Sequence, residues 1–156
     1  MKGNDKLLAM LNGLLADELT AINQYVVHAE MAENWGYSKL KKLVGGRSRT
    51  EMKHAEMLIE RILFLEGRPV VSMLNKINIG ADVPQHFAND LAAEMTAVAN
   101  YNAAIKTARD IGDNATSELL EGILKDEDGH VDEIEEKLEQ IQQMDIQNFL
   151  SMQTGE

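Results

Sequence analysis

The sequence predicts an all-α protein: four long helices folded as a bundle, a long crossover between helices two and three, and a short fifth helix at the C-terminus. Apolar residues recur every three or four positions over four long stretches. Both prolines of the 156-residue chain, Pro69 and Pro84, fall near its middle. No stretch alternates apolar and polar residues as a half-buried strand does.

The first helix is expected from Lys6 to about Asn34, where apolar residues recur at Leu7, Leu11, Leu14/Leu15, Leu19, Ile22 and Val26, a spacing of three and four. Trp35-Gly36-Tyr37-Ser38 reads as a turn, with Ser38 capping a second helix from about Lys39 to Leu65. Glu66-Gly67-Arg68-Pro69 stops that helix. Arg68 to Val83 lacks periodicity and reads as the crossover. A third helix follows from about Pro84 to Ile111, with proline in its first turn. Gly112-Asp113-Asn114 turns into a fourth from about Thr116 to Met144, and Ile146 to Met152 supplies one or two more turns. Long helices, roughly 40 Å each, joined by two short turns and one long connection make two hairpins linked by a crossover.

Composition narrows the function. One domain over residues 1–156 is expected from the length. The formal net charge of −11 opposes nucleic-acid binding and favours cations. Zero cysteines remove disulfides, thiolate metal sites and cysteine nucleophiles. Apolar runs are far too short to span a bilayer. Met1-Lys2-Gly3-Asn4-Asp5 shows no secretory signal, so the expected compartment is the cytoplasm.

Two of the four histidines follow a glutamate by three residues: Glu51 with His54, and Glu127 with His130. Positions three apart share a helix face, so each pair can hold one metal ion. With 16 glutamates in the chain, chance gives two such pairs about one time in twenty. A second spacing strengthens the signal. Glu18 precedes Glu51 by 33 residues, and Glu94 precedes Glu127 by 33. Residues 18, 51 and 54 map onto 94, 127 and 130 with one constant offset of 76, a degenerate repeat of one helical hairpin.

All four glutamates interrupt apolar stripes. Glu18 lies among Leu11, Leu14, Ile22 and Tyr25; Glu51 among Val44, Leu58, Ile62 and Leu65. Glu94 lies among Phe87, Leu91, Val98 and Tyr101; Glu127 among Leu120, Ile123, Ile134 and Ile141. Unpaired carboxylates inside a bundle are costly, so these four are expected to surround cations. Two divalent ions balance four carboxylates, and two ferric ions with one bridging oxide balance them equally. Imidazole with carboxylate suits iron or manganese better than magnesium or calcium. Two lone glutamates plus two Glu-x-x-His pairs match the ligand pattern of carboxylate-bridged dinuclear bundles. His28 and His86 fit no such spacing, and His28 is expected at the rim or surface. Tyr25 is placed to hydrogen-bond a carboxylate or supply an electron; a core tyrosine with a satisfied hydroxyl reads equally well.

With these residues in hand, the chain resembles the bacterioferritins, the haem-containing branch of the ferritins. The resemblance runs nearly end to end. It includes Met1-Lys2-Gly3, Glu18-Leu19-Thr20-Ala21-Ile22-Asn23-Gln24-Tyr25 and Glu51-Met52-Lys53-His54-Ala55. It continues through Ile59-Glu60-Arg61-Ile62-Leu63-Phe64-Leu65-Glu66-Gly67, Ile79-Gly80 and Asp126-Glu127-Asp128-Gly129-His130-Val131-Asp132. It implies a ferritin-like bundle, a hollow shell of two dozen subunits built from twofold dimers, and stored ferric mineral. It implies a ferroxidase centre of two iron ions in each subunit. Glu18 and His54 would be terminal ligands of one ion, Glu94 and His130 of the other, with Glu51 and Glu127 bridging. Fe(II) is the substrate, and oxygen or hydrogen peroxide the oxidant.

The resemblance also assigns Met52. Periodicity alone puts it on a different face from Glu51, with Ile59 and Leu63, where a methionine is ordinarily a packing residue. In the resembled family, the methionine after this glutamate ligates haem iron. One from each of two subunits sandwiches a b-type haem, with Leu19, Ile22, Asn23 and Val26 as pocket wall. Reductive iron release through that haem, with a small ferredoxin as donor, is then expected.

The chain departs from the family at Gly45-Gly46-Arg47-Ser48-Arg49-Thr50, where relatives usually carry acids around positions 46, 47 and 50. Two glycines inside a helix cost about 1 kcal/mol each relative to alanine. Nothing in the sequence explains the arginines. Glu133 stands where some relatives have an aromatic residue. The competing readings are a dinuclear oxidase or a peroxide-reducing bundle of the rubrerythrin type, and a non-catalytic haem-binding bundle. DNA-protecting miniferritins fit poorly, because they build sites between subunits and this chain supplies all six ligands.

Overall fold

The computed structural model describes residues 1–155. Its elements are α1 (Asp5–Asn34), α2 (Ser38–Phe64), α3 (Val83–Asp110), α4 (Asn114–Met144) and α5 (Ile146–Ser151). No strand occurs among the described residues. The all-helical bundle predicted above is what the chain forms.

Most helix starts are written in short acceptor side chains. Asn4 accepts from Leu7 N at 3.0 Å, Asp82 from Gln85 N at 2.9 Å, and Asp113 from Thr116 N at 3.1 Å. Helix α4 therefore begins at Asn114, two residues before the expected Thr116. Ser38 is a second correction. It is the first helical residue of α2, and its hydroxyl donates to the Gly155 carbonyl instead of capping. The lost cap is replaced by tying the C-terminal tail to this corner, where Lys39 N also donates to Gln153 O at 3.0 Å.

The stop of α2 divides its work between two residues. Glu66 takes the left-handed conformation at φ 60°, and Gly67 N donates to Ile62 O at 2.9 Å. Gly67 packs closely: a Cβ there would lie 2.6 Å from Leu8 Cδ2, and the Leu8 side chain would have to shift.

The crossover has no regular hydrogen bonds of its own, so its amides need other partners. Helix α1 supplies them in sequence. Val70 N donates to Asn12 Oδ1 (2.8 Å), Asn75 N to Thr20 Oγ1 (2.9 Å), Asn78 N to Gln24 Oε1 (3.1 Å) and Gly80 N to His28 Nε2 (3.0 Å). The crossover thus climbs along α1 and delivers α3 antiparallel to it. Helices α1 with α2 and α3 with α4 form the two hairpins.

One apolar layer of Leu7, Leu11, Leu14, Leu15, Leu58, Ile62, Tyr101, Ile105, Leu120 and Ile123 fills one end. A second, with Leu40, Val83, Phe87, Ile134 and Phe149, fills the other and holds α5. Phe149 meets Phe87 edge to face at 6.1 Å. No described helix is long and apolar enough to cross a membrane. Between the two layers lies a polar centre.

Candidate metal centre

Each long helix contributes one glutamate to the middle of the bundle. Glu18, Glu51, Glu94 and Glu127 are all buried, as is His54, while the His130 side chain keeps 15% exposure. The i, i+3 spacing on α2 and α4 sets each histidine beside its glutamate. Antiparallel packing of α2 on α4 then brings the two pairs face to face.

The groups form two overlapping sets. Glu18, Glu51, His54 and Glu127 make one; Glu51, Glu94, Glu127 and His130 make the other. Within each set the potential ligand atoms all lie within 4.8 Å of one another. Glu51 and Glu127 belong to both. His54 Nδ1 lies 2.8 Å from Glu127 Oε1, 3.3 Å from Glu51 Oε2 and 3.6 Å from Glu18 Oε2. His130 Nδ1 lies 2.9 Å from Glu51 Oε1 and 3.4 Å from Glu94 Oε1. Yet Glu18 Oε2, Glu51 Oε1, Glu94 Oε2, Glu127 Oε1 and His130 Nδ1 are buried without a hydrogen-bond partner. Five orphaned polar atoms in one place converge on shared points between them. The donor chemistry and this convergence fit a pair of cations.

Proton placement shows how far the cluster is from neutral without cations. Burial, then neighbouring Glu51, pushes Glu18 well above the usual carboxylate range. Burial pushes Glu127 up to about 12, and acidic neighbours Glu94 and Glu18 reinforce it against His54. Burial opposes charge on Glu51 too, but Glu18, His130 and His54 hold it well below the usual range. Burial also disfavours charged imidazoles; Glu127, Glu18 and Glu51 outweigh it at His54, which is raised. Glu51 and Glu94 likewise raise His130 to about 9. The cluster therefore holds protons where cations would bring charge.

Three groups surround the six. His54 Nε2 faces Asp126 Oδ2 at 2.9 Å, which turns Nδ1 toward the carboxylates. Tyr25 donates to Glu94 Oε1, and Tyr101 to Glu18 Oε1 at 2.6 Å. Burial, then the adjoining carboxylates, pushes both phenols well above their ordinary value, so both stay protonated donors. Asp126 and Tyr101 were missed from sequence as partners of the site. Tyr101 was visible on the Glu94 stripe; Asp126, one residue before Glu127, carries no periodicity signal.

His28 does not sit at the rim. It is fully buried, because its Nε2 accepts the crossover amide of Gly80, and its Nδ1 therefore donates to Asp90 Oδ1 at 2.9 Å. His86 is buried as well and stacks on it with ring centroids 3.9 Å apart. Neither joins the cluster.

The departure at residues 45–50 acquires a physical account. Arg47 turns inward, buried, and donates to Glu133 Oε1 at 2.8 Å. Its Nη1 lies 3.7 Å from Asp90 Oδ2, and its guanidinium sits 5.2 Å from the Tyr25 ring centroid. Arg47 and Glu133 thus join α2 to α4. Gly45 and Gly46 leave α2 unbroken, and a Cβ on either would meet only the folded-back Arg49 guanidinium, at 3.7 Å.

Met52 points away from the cluster and is 45% exposed. Val26 and Leu63 are exposed with it, and Leu19, Ile22 and Ile59 are half-buried. The thioether does not pack in this chain's core. This uncovered apolar face carries a soft sulfur donor, a chemistry suited to holding an apolar group that accepts a thioether.

The ferritin-like domain family matches residues 8–144. Bacterioferritin of Mycolicibacterium paratuberculosis is 37% identical over 149 residues, covering 96% of this chain and 94% of that protein. Bacterioferritin of Rhodobacter capsulatus is 38% identical over 149 residues, covering 96% and 92%. Bacterioferritin BfrA of Mycobacterium tuberculosis is 38% identical over 139 residues, covering 89% and 87%.

Proposed function

The chain belongs to the ferritin family, in its bacterioferritin branch, and from that membership we propose that it stores and detoxifies iron as a ferroxidase. The observation that carries the reading is the buried cluster with orphaned ligand atoms on all four long helices. Two Fe(II) ions bind per chain. Glu18 and His54 hold one, Glu94 and His130 hold the other, and Glu51 and Glu127 are shared. Oxygen or hydrogen peroxide accepts the electrons, and Fe(III) passes to mineral inside a shell of two dozen copies built from twofold dimers.

The protein's own contribution is placement and charge. Six ligands are held on rigid helices, so little reorganisation accompanies the rise from ferrous to ferric. Asp126 orients His54, and the two phenols orient Glu18 and Glu94. The net charge of −11 favours accumulation of Fe(II) near the chain. Met52 would hold b-type haem together with the same residue of a second chain, and the haem would supply one-electron redox chemistry for returning stored iron. A small ferredoxin is the reductant class proposed for that return, and the cytoplasm the compartment.

Rapid mixing of anaerobic protein carrying two Fe(II) per chain with oxygen tests the reading. Glu94→Ala and His130→Ala abolish the fast oxidation phase while circular dichroism and a native mass of several hundred kilodaltons persist. Unchanged initial rates in either variant would remove the proposed centre. A native mass no larger than a dimer would remove the shell and favour a soluble oxidase.

A further inference from the structure

The internal repeat contains a further pair that the six ligands leave out. Tyr25 and Tyr101 differ by the same offset of 76 residues that relates the ligands. Each lies seven residues, two helical turns, beyond the glutamate on its own helix. Each nevertheless serves the other helix's glutamate: Tyr25 on α1 donates to Glu94, and Tyr101 on α3 donates to Glu18. Antiparallel packing of α1 against α3 produces the crossed arrangement, since the two pairings run in opposite directions along the chain.

The consequence lies in which oxygen remains. On both glutamates the phenol occupies Oε1 and leaves Oε2 buried with no partner. Glu18 Oε2 faces His54 Nδ1 at 3.6 Å, inside the cluster. A buried carboxylate without that hydrogen bond can turn and offer both oxygens to one cation. With it, only one oxygen is available.

We propose that Tyr101 is a positioning residue that holds Glu18 as a one-oxygen metal ligand, the counterpart on α3 of Tyr25 on α1. The two halves of the centre then have matched terminal ligands. The inference rests on the metal reading above. Tyr101 is the cleaner of the two to test. Arg47 lies over the Tyr25 ring, whereas no cation lies over that of Tyr101 among the described residues. Tyr101→Phe therefore removes one hydroxyl and one hydrogen bond.

The test is anaerobic titration of the metal-free full chain with Co(II), followed by the visible ligand-field spectrum. The unmodified protein binds two Co(II) per chain. Tyr101→Phe still binds two, but one of them about tenfold more weakly. The visible band of that ion also loses intensity, as chelation by Glu18 raises its coordination number. Tyr25→Phe weakens the other ion. Unaltered Co(II) affinities and spectrum in a folded Tyr101→Phe protein would overturn the inference while leaving the metal reading intact. Fewer than two Co(II) bound by the unmodified protein would overturn both. A second measurement needs no tyrosine variant. In the Zn(II)-loaded protein, the infrared carboxylate bands lost on Glu18→Gln show the wide splitting of one-oxygen ligation. The narrow splitting of chelation would overturn the inference.

Discussion

The Nε2 atom of His54 lies 2.9 Å from Oδ2 of Asp126, whose side chain is 55% exposed. A surface carboxylate thus orients a buried imidazole, and it would keep the remaining proton on Nε2 once a metal takes Nδ1. Because Asp126 is so exposed, Asp126→Ala leaves the fold intact. It weakens one of the two Co(II) sites about 10- to 100-fold, and Asp126→Asn, whose amide oxygen still accepts, weakens it less. Competitive chelator titration measures this, and equal affinities in all three proteins would contradict it.

Arg47 is the buried partner of buried Asp90, while its other partner, Glu133, is 40% exposed at the side chain. Arg47→Ala strands Asp90, which keeps hydrogen bonds from His28 and Gln24. The loss is about 3 kcal/mol. Glu133→Ala, breaking only the half-exposed bond, costs less than about 1 kcal/mol. Denaturant unfolding of the metal-free proteins gives both values. Equal losses would show that the exposed pair carries the interaction.

His130 sets a pH dependence. Its folded pKa of about 9 lies above the ordinary 6.5, so the proton it gains on folding stabilises the metal-free chain fully below pH 6.5. That stability, on the order of 3 kcal/mol, is lost as pH rises from 6.5 through 9. The same proton competes with metal, so Co(II) affinity rises over this window. Melting temperatures of metal-free and Co(II)-loaded protein should diverge progressively from pH 6.5 to 9. A constant gap would contradict the assignment.

In the proposed function Met52 acts apart from the cluster. Met52→Leu keeps an apolar side chain on the exposed face and removes the sulfur. The variant loses the visible spectrum of haem held by two thioethers and retains fast ferrous oxidation. A persistent spectrum would place the haem ligand elsewhere.

Much of the fold and of the cluster was legible in the sequence because both are periodic. Glu18, Glu51, Glu94 and Glu127 each break an apolar stripe, and a constant offset links the halves. What periodicity does not carry is the partner of an irregular segment. His28 read as a rim residue because nothing in α1 shows that the crossover lies along it and that Gly80 needs an acceptor there. Arg47 read as an unexplained charge because its partners Asp90 and Glu133 are on other helices, with no spacing rule to join them. Ser38 has the composition of a cap, but the C-terminal tail takes its hydroxyl. Long-range polar pairing depends on packing, and packing is the step the linear pattern leaves open.

Crystals of the Fe(II)-soaked protein, measured on both sides of the iron absorption edge, test the central claim most directly. The account predicts two anomalous peaks per chain, about 3.5–4 Å apart. One should lie within ligand distance of Glu18 and His54, the other of Glu94 and His130, with Glu51 and Glu127 touching both. A single peak, or iron bound only outside these six residues, would contradict it.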